Sequence, residues 1–278
     1  MSILQVIFRS ARETLSFQRL LPFFLLYFSF GILAYLLVLS FVNIVANPPQ
    51  MIVNAPLVVI DMAAMSVLFV AGMLSNIWLT AALVQSVKGK STFGRSMNEI
   101  KKSYLQIVGL SFVTVLFFVA AQVFGDFRYI VRVFIDLVLL FALPSLVIGK
   151  LTFEGSIKKS FQVLRGKVLE TIVFWVVNRF ALALVFILAL FVLTLSTAAL
   201  LVTSMPPSQI EQIQSSGAMR IEAASTLLSN GFWMVILIAI AAFFMGVITV
   251  FDYISRTYYF LELTGRKERK QKSRRRRR

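Results

Sequence analysis

Asp136 lies seven residues inside an apolar run that opens at Tyr129, with Arg132 and Arg128 four and eight residues before it. Residues four apart share a helical face, so the three form one charged stripe. Asp136 then falls about 10 Å from the outer end at 1.5 Å per residue. An ionisable group inside a bilayer is costly and is a functional candidate by default, yet buried charges are generally paired. The stripe therefore reads either as local neutralisation, which is preferred, or as a wet outer vestibule that draws in anions. Asn178 and Arg179 supply a second possibility, with Arg179 pairing to Asp136 across the bundle. Slightly preferred over that pair is Arg179 as an interfacial snorkel beside Trp175 of the aromatic belt, since Phe180–Val202 alone is long enough to span. Asp252 precedes Arg256 by four residues, the favourable order, and reads as an anchor at the end of the last run.

Most other chemistry is absent from the composition. The chain has no His and no Cys, which removes disulfides, thiol nucleophiles, the usual zinc and copper ligands and the commonest general base. Twelve carboxylates remain, and no two form a recognisable acid–base or metal-binding pair. No Gly-x-Ser-x-Gly elbow occurs either. The reading is a protein that is not an enzyme, with no metal or cofactor proposed.

The elements that must position these charges are membrane spans. Apolar residues make up 59% of the 278 and mean hydropathy is +0.85, well above a soluble domain. Six runs reach the ~20 residues a helical span needs: Leu20–Ala46, Leu57–Val87, Tyr104–Phe124, Tyr129–Gly149, Ile172–Val202 and Gly231–Ile254. All but four of the 28 Lys and Arg fall in the N-terminal segment, two loops and the C-terminal segment; the exceptions are Arg128, Arg132, Arg179 and Arg220. The positive-inside rule then predicts a multi-pass protein of the cell membrane with both termini cytoplasmic. The first run starts after Arg19 and is too long for a cleavable signal, so insertion reads as signal-anchor-like. Asn47-Pro48-Pro49, Gly125-Asp126 and Met205-Pro206-Pro207 mark outer turns, with a short surface helix expected from Ser208.

The two cytoplasmic loops echo each other. Gly89-Lys90-Ser91-Thr92-Phe93-Gly94-Arg95-Ser96 matches Gly149-Lys150-Leu151-Thr152-Phe153-Glu154-Gly155-Ser156 in Gly, Lys, Thr, Phe and Ser at an offset of 60 residues. Each leads into a basic amphipathic stretch. In the second, Ile157, Phe161 and Leu164 are expected to form the apolar face of a helix lying in the headgroup layer. The N-terminal segment offers a third version, with Ile3, Leu4, Val6 and Ile7 against Arg9 and Arg12. The expected fold is all-α: a bundle of six transmembrane helices with interfacial amphipathic helices, arranged as three repeats of interfacial helix plus hairpin. Its parts are an interfacial helix over 1–19, a transmembrane domain over 20–264 and a disordered polybasic tail over 265–278.

The segment Leu143-Pro144-Ser145-Leu146-Val147 followed by Gly155-Ser156-Ile157-Lys158-Lys159-Ser160-Phe161-Gln162-Val163-Leu164-Arg165-Gly166 resembles a group of six-span prokaryotic membrane proteins. That group includes the membrane domain attached to some glycerophosphodiester phosphodiesterases. The resemblance covers about 25 residues and the rest of the chain only in layout. It implies the fold; the family's membrane domain carries no established chemistry, and no hydrolase domain is found among these residues.

The tail holds Arg266, Lys267, Arg269, Lys270, Lys272, Arg274, Arg275, Arg276, Arg277 and Arg278 with one acid, Glu268. Such a segment is expected to contact anionic headgroups at the cytoplasmic face, each cation contributing ~1 kcal/mol near the surface. The preferred function is a non-enzymatic membrane protein interacting with lipids or membrane protein partners. The runner-up is a transporter or channel for an anionic or amphipathic solute along Arg128, Arg132 and Asp136. A third reading is a ribosome-binding insertion factor whose arginines grip RNA phosphate.

Overall fold

Hydroxyl residues open three short amphipathic helices in the computed structural model, which describes residues 2–45, 55–89, 92–204 and 230–276. Helix α1 (Ile3–Thr14) starts at Ser2 with a full capping box: Gln5 N–H donates to Ser2 Oγ at 3.3 Å and Ser2 N–H to Gln5 Oε1 at 2.9 Å. A later short helix, Phe93–Ile100, follows Thr92, and another, Phe153–Gly166, follows Thr152, whose Oγ1 accepts from Gly155 N–H. Four residues beyond each cap lies a buried residue, Val6, Ser96 or Ser156. One and five beyond it are apolar residues packed on the core: Ile3 and Ile7, Phe93 and Met97, Phe153 and Ile157.

Between and after these helices run the longer ones. In chain order the elements are α1; α2 (Phe17–Val45); α3 (Ala55–Gly89); α4 (Phe93–Ile100); α5 (Tyr104–Ala120); α6 (Arg128–Leu139); α7 (Ala142–Gly149); α8 (Phe153–Gly166); α9 (Val168–Ser204); and α10 (Gly231–Arg276). Short 3₁₀ turns at Lys101–Ser103 and Ala121–Phe127 join α4 to α5 and α5 to α6. The described residues are all-helical. Five stretches are long and apolar enough to cross a membrane: Phe17–Ser40, Pro56–Lys88, Phe93–Gly149, Val168–Ala199 and Gly231–Gly265. The third holds both the third and fourth expected runs, broken at Gly125, whose φ of 54° and ψ of −121° suit a residue without Cβ. Large apolar side chains lie exposed along these helices, among them Phe69, Phe186, Ile187 and Phe232, as lipid contact requires and water does not tolerate in bulk.

The chain divides into two compact units. The first comprises residues 1–22, 74–183 and 247–278 and has a core around Phe141, Phe174, Tyr259, Phe260, Ile107 and Leu146. Phe174 stacks on Tyr259 with ring centroids 4.1 Å apart. A turn at Leu140–Phe141 interrupts its helical run. Pro144 has no N–H and disfavours a helical carbonyl four residues earlier, so α6 ends and α7 begins there. Ser160, fully buried on α8, fills the break: its Oγ accepts from Phe141 N–H at 3.1 Å and donates to Val138 C=O. Lys88 Nζ donates to Ile148 C=O at 2.8 Å and so closes the C-terminus of α7.

The second unit comprises residues 23–73 and 184–246. A Cβ on Gly31 would stand 2.5 Å from Ile238 Cγ2, and one on Gly72 would stand 3.2 Å from the Phe30 ring, so both glycines mark close helix contacts. Asp61 accepts from Ser40 Oγ at 2.9 Å.

Along α8 the face packed on the core holds Ser156, Ser160, Val163 and Leu164, whereas Phe161 is 44% exposed, as a side chain facing the headgroup layer would be. Ser160 is on the packed face, where its hydroxyl serves the break. The last helix continues past Gly265 to Arg276, where a disordered tail is expected; Lys and Arg are good helix formers, and an existing helix propagates without a new nucleus. Side chains beyond Gly265 lie outside the described residues, as do the Asn47-Pro48-Pro49 turn and the segment expected to form a helix from Ser208.

Candidate functional site

Within the first unit, α9 and α10 each present a polar triad at i, i+3 and i+4: Trp175, Asn178 and Arg179 on one, Asp252, Ser255 and Arg256 on the other. That spacing puts each triad on one helical face. Asp136 of α6 meets both. Its Oδ2 accepts from Trp175 Nε1 at 2.7 Å and from Arg179, and Arg256 Nη1 stands 3.7 Å from its Oδ1. Arg256 grips Asp252 bidentately, with Nε to Oδ1 at 2.9 Å and Nη2 to Oδ2 at 2.7 Å. Asn178 Nδ2 donates to the same Oδ1 at 2.8 Å, and Ser255 Oγ donates to Asn178 Oδ1 at 2.7 Å.

Two carboxylates and two guanidinium groups thus neutralise one another. The Asp136, Asp252 and Arg256 side chains are only 14–16% exposed, while Arg179 is 39% exposed and lies over the Trp175 ring at 5.8 Å. A buried charge removed from water is tolerable when paired and hydrogen-bonded throughout, and this group meets that condition. Each carboxylate faces an arginine rather than the other carboxylate, so they do not form the proton-sharing dyad that acid–base chemistry uses. The arrangement locks α6, α9 and α10 together.

Of the five residues expected to form an intramembrane polar cluster, the structure brings Asp136, Asn178 and Arg179 together. It leaves out Arg128 and Arg132. Arg128 is exposed, donates to Tyr129 Oη at 3.2 Å and lies over that ring at 4.9 Å. Arg132 makes no ion pair with Asp136 among the described residues, and its Nε is buried without a hydrogen-bond partner. Local pairing along α6 is therefore replaced by pairing across the bundle, and Arg179 is a partner of Asp136 rather than a free snorkel. Trp175 donates a hydrogen bond beyond any role in an aromatic belt, and Asp252 with Arg256 belongs to the same network rather than to an isolated anchor. The matching i, i+3, i+4 polar spacing in α9 and α10 is the sequence signal that would have found them.

A second charged node ties α1 to α10. Glu13 accepts from Arg9 Nε at 3.2 Å, from Arg19 and from the Tyr258 hydroxyl, and Arg9 covers the Tyr258 ring at 4.3 Å. Burial opposes ionisation of Glu13, but the hydrogen bond from Tyr258, the charge of Arg19 and the hydrogen bonds from Arg19 and Arg9 outweigh it and hold the carboxyl below its usual range. Arg9, at i−4, and Arg19 are partners near in sequence, but no local pattern ties Glu13 to Tyr258 in the distant last helix.

Among the described residues no group of three or more acids is placed to hold a metal. The fold and these nodes define a multi-pass helical membrane protein with a self-neutralised polar interior. No family model, curated protein or solved structure matches the chain. The resemblance carried by residues 143–147 and 155–166 therefore rests on those residues alone, and Pro144 and Ser160 within them serve the α6–α7 break.

Proposed function

We propose that the chain is a non-enzymatic protein of the cell membrane that crosses the bilayer six times, with both termini cytoplasmic, and engages anionic lipid headgroups through its basic cytoplasmic segments. The observation that carries this reading is the division of its charges. The interior acids Asp136 and Asp252 are consumed by Arg179 and Arg256, whereas most other cations lie in the loops and terminal segments. A sixth crossing is supported by the 57-residue stretch Phe93–Gly149, about 85 Å if straight, against a hydrocarbon core near 30 Å. The break at Gly125 divides it into two legs. Three repeats are supported by the hydroxyl residue at each N-cap position, Ser2, Thr92 and Thr152, of which Ser2 and Thr152 make side-chain capping hydrogen bonds, and by the inward residues that follow each of them. Kinship with the membrane domain of glycerophosphodiester phosphodiesterases is proposed on the Pro144 and Ser160 segment.

The test compares full-length protein with a form ending at Gly265, in nanodiscs with and without anionic lipid and in the presence of ribosomes at near-physiological salt. Truncation is expected to reduce anionic-lipid enrichment and to leave ribosome association at background. Ribosome binding that persists at that salt, survives anionic lipid and disappears with the tail would replace this reading with the insertion-factor one.

A further inference from the structure

Three lysines from separate segments line one pocket of about 550 Å³ in the first unit: Lys88 at the end of α3, Lys159 on α8 and Lys167 between α8 and α9. Its apolar walls include Val163 of α8 and Phe260, Leu261 and Leu263 of α10. The three ammonium groups differ in how far they are already engaged. Lys167 holds Glu170 in an ion pair, and Lys88 gives one of its three N–H groups to Ile148 C=O at 2.8 Å. Among the described residues Lys159 makes neither a hydrogen bond nor an ion pair. Glu262 is on the same stretch of α10 but does not line the pocket.

Three lysines less the charge of Glu170 leave the site at about +2. A phosphomonoester carries about −1.5 to −2 at neutral pH and three acceptor oxygens, matching both the charge and the donors on offer. A phosphodiester headgroup carries one negative charge and would leave a lysine uncompensated. Lys88, Lys159 and Lys167 all belong to segments that the positive-inside rule sends to the cytoplasmic face, where anionic lipids concentrate. The apolar wall of α10 suits the glycerol and acyl portion beneath such a headgroup.

We propose that the pocket of Lys88, Lys159 and Lys167 binds a phosphomonoester, borne by a phosphatidate-type lipid or by a soluble phosphate ester. This deepens the reading of anionic-lipid engagement and rests on it for the side of the membrane. The decisive variant is Lys159→Gln, because Lys159 supports no contact of the fold; Lys159→Arg is its charge-preserving control. Native mass spectrometry would count lipids retained from phosphatidylcholine nanodiscs containing phosphatidate or phosphatidylserine, the second at the mole fraction that gives the same total bilayer charge. Glycerol 3-phosphate would be titrated against the detergent-solubilised full chain. Wild type is expected to retain phosphatidate over phosphatidylserine, and Lys159→Gln to lose about fivefold of that retention, with Lys159→Arg near wild type. Competition by glycerol 3-phosphate would identify the soluble ester as sufficient; retention of phosphatidate without such competition would assign the lipid. Equal retention of both lipids by wild type, or a phosphatidate preference unchanged in Lys159→Gln, would overturn the proposal. A full-length form with the ten Lys and Arg of residues 266–278 replaced by Gln keeps the two ideas apart, since truncation at Gly265 would put a C-terminal carboxylate in the pocket wall. A phosphatidate preference that survives there but falls in Lys159→Gln supports the pocket even if the tail contributes nothing.

Discussion

Replacing Asp252 by Asn should be among the most damaging single changes in the polar interior, more so than the same change at Asp136. Asp252 accepts three hydrogen bonds, two from Arg256 and one from Asn178, at 2.7–2.9 Å, and it is 15% exposed. The change strands the Arg256 guanidinium, itself 14% exposed, with only Asp136 at 3.7 Å for compensation. Breaking a buried pair from one side costs about 3–5 kcal/mol, and the residual Asp136 contact places this case near 3. Asp136→Asn strands Arg179 instead, but Arg179 is 39% exposed and can turn to water. The Asn side chain can still accept from Trp175, so that loss should be about 1.5–2 kcal/mol. Unfolding in mixed micelles, followed by tryptophan fluorescence, would give both values. Adding Arg256→Gln to Asp252→Asn should recover about 2 kcal/mol of the summed losses, because the unpaired charge is gone. Strict additivity, or an Asp136→Asn loss equal to that of Asp252→Asn, would refute the assignment of these partners.

Other outcomes follow from single contacts. Ser160→Ala leaves Phe141 N–H and Val138 C=O without their partner and should lower stability by about 1–3 kcal/mol in the same assay. Because the folded state depresses the pKa of Glu13, its contribution is present above the ordinary glutamate value of ~4.3 and is lost as pH falls through the lower folded value. Stability measured against pH should therefore decline in acid, with the Glu13 component absent in Glu13→Gln and smaller in Tyr258→Phe. Gly31→Val places a branched side chain where a Cβ alone would stand 2.5 Å from Ile238, and should cost about 1–3 kcal/mol.

Periodicity made the amphipathic helices legible, because apolar spacing acts locally. The sequence echo puts the second and third of them from Ser96 and Ser156, and the structure starts each one turn earlier, after Thr92 and Thr152. The partners of Asp136 were less legible. Its i−4 neighbour Arg132 is visible from spacing alone, whereas Arg179 and Arg256 depend on how three helices meet. The role of Ser160 was not legible, because the backbone break that needs its buried hydroxyl is set by Pro144 on another helix. Glu13 and Tyr258 are 245 residues apart, a separation that no local pattern bridges.

The account depends most directly on all four basic segments sharing one side of a membrane crossed six times. Accessibility tags inserted singly at Gln50, Asp126, Glu211, Gly94, Gly155 and Lys272 would test it in intact cells. The account predicts labelling by an impermeant reagent at Gln50, Asp126 and Glu211 and protection at Gly94, Gly155 and Lys272. Protection at Asp126, or labelling at Gly155 or Lys272, would contradict the six-crossing arrangement and with it the cytoplasmic placement of the lysine pocket and the basic tail.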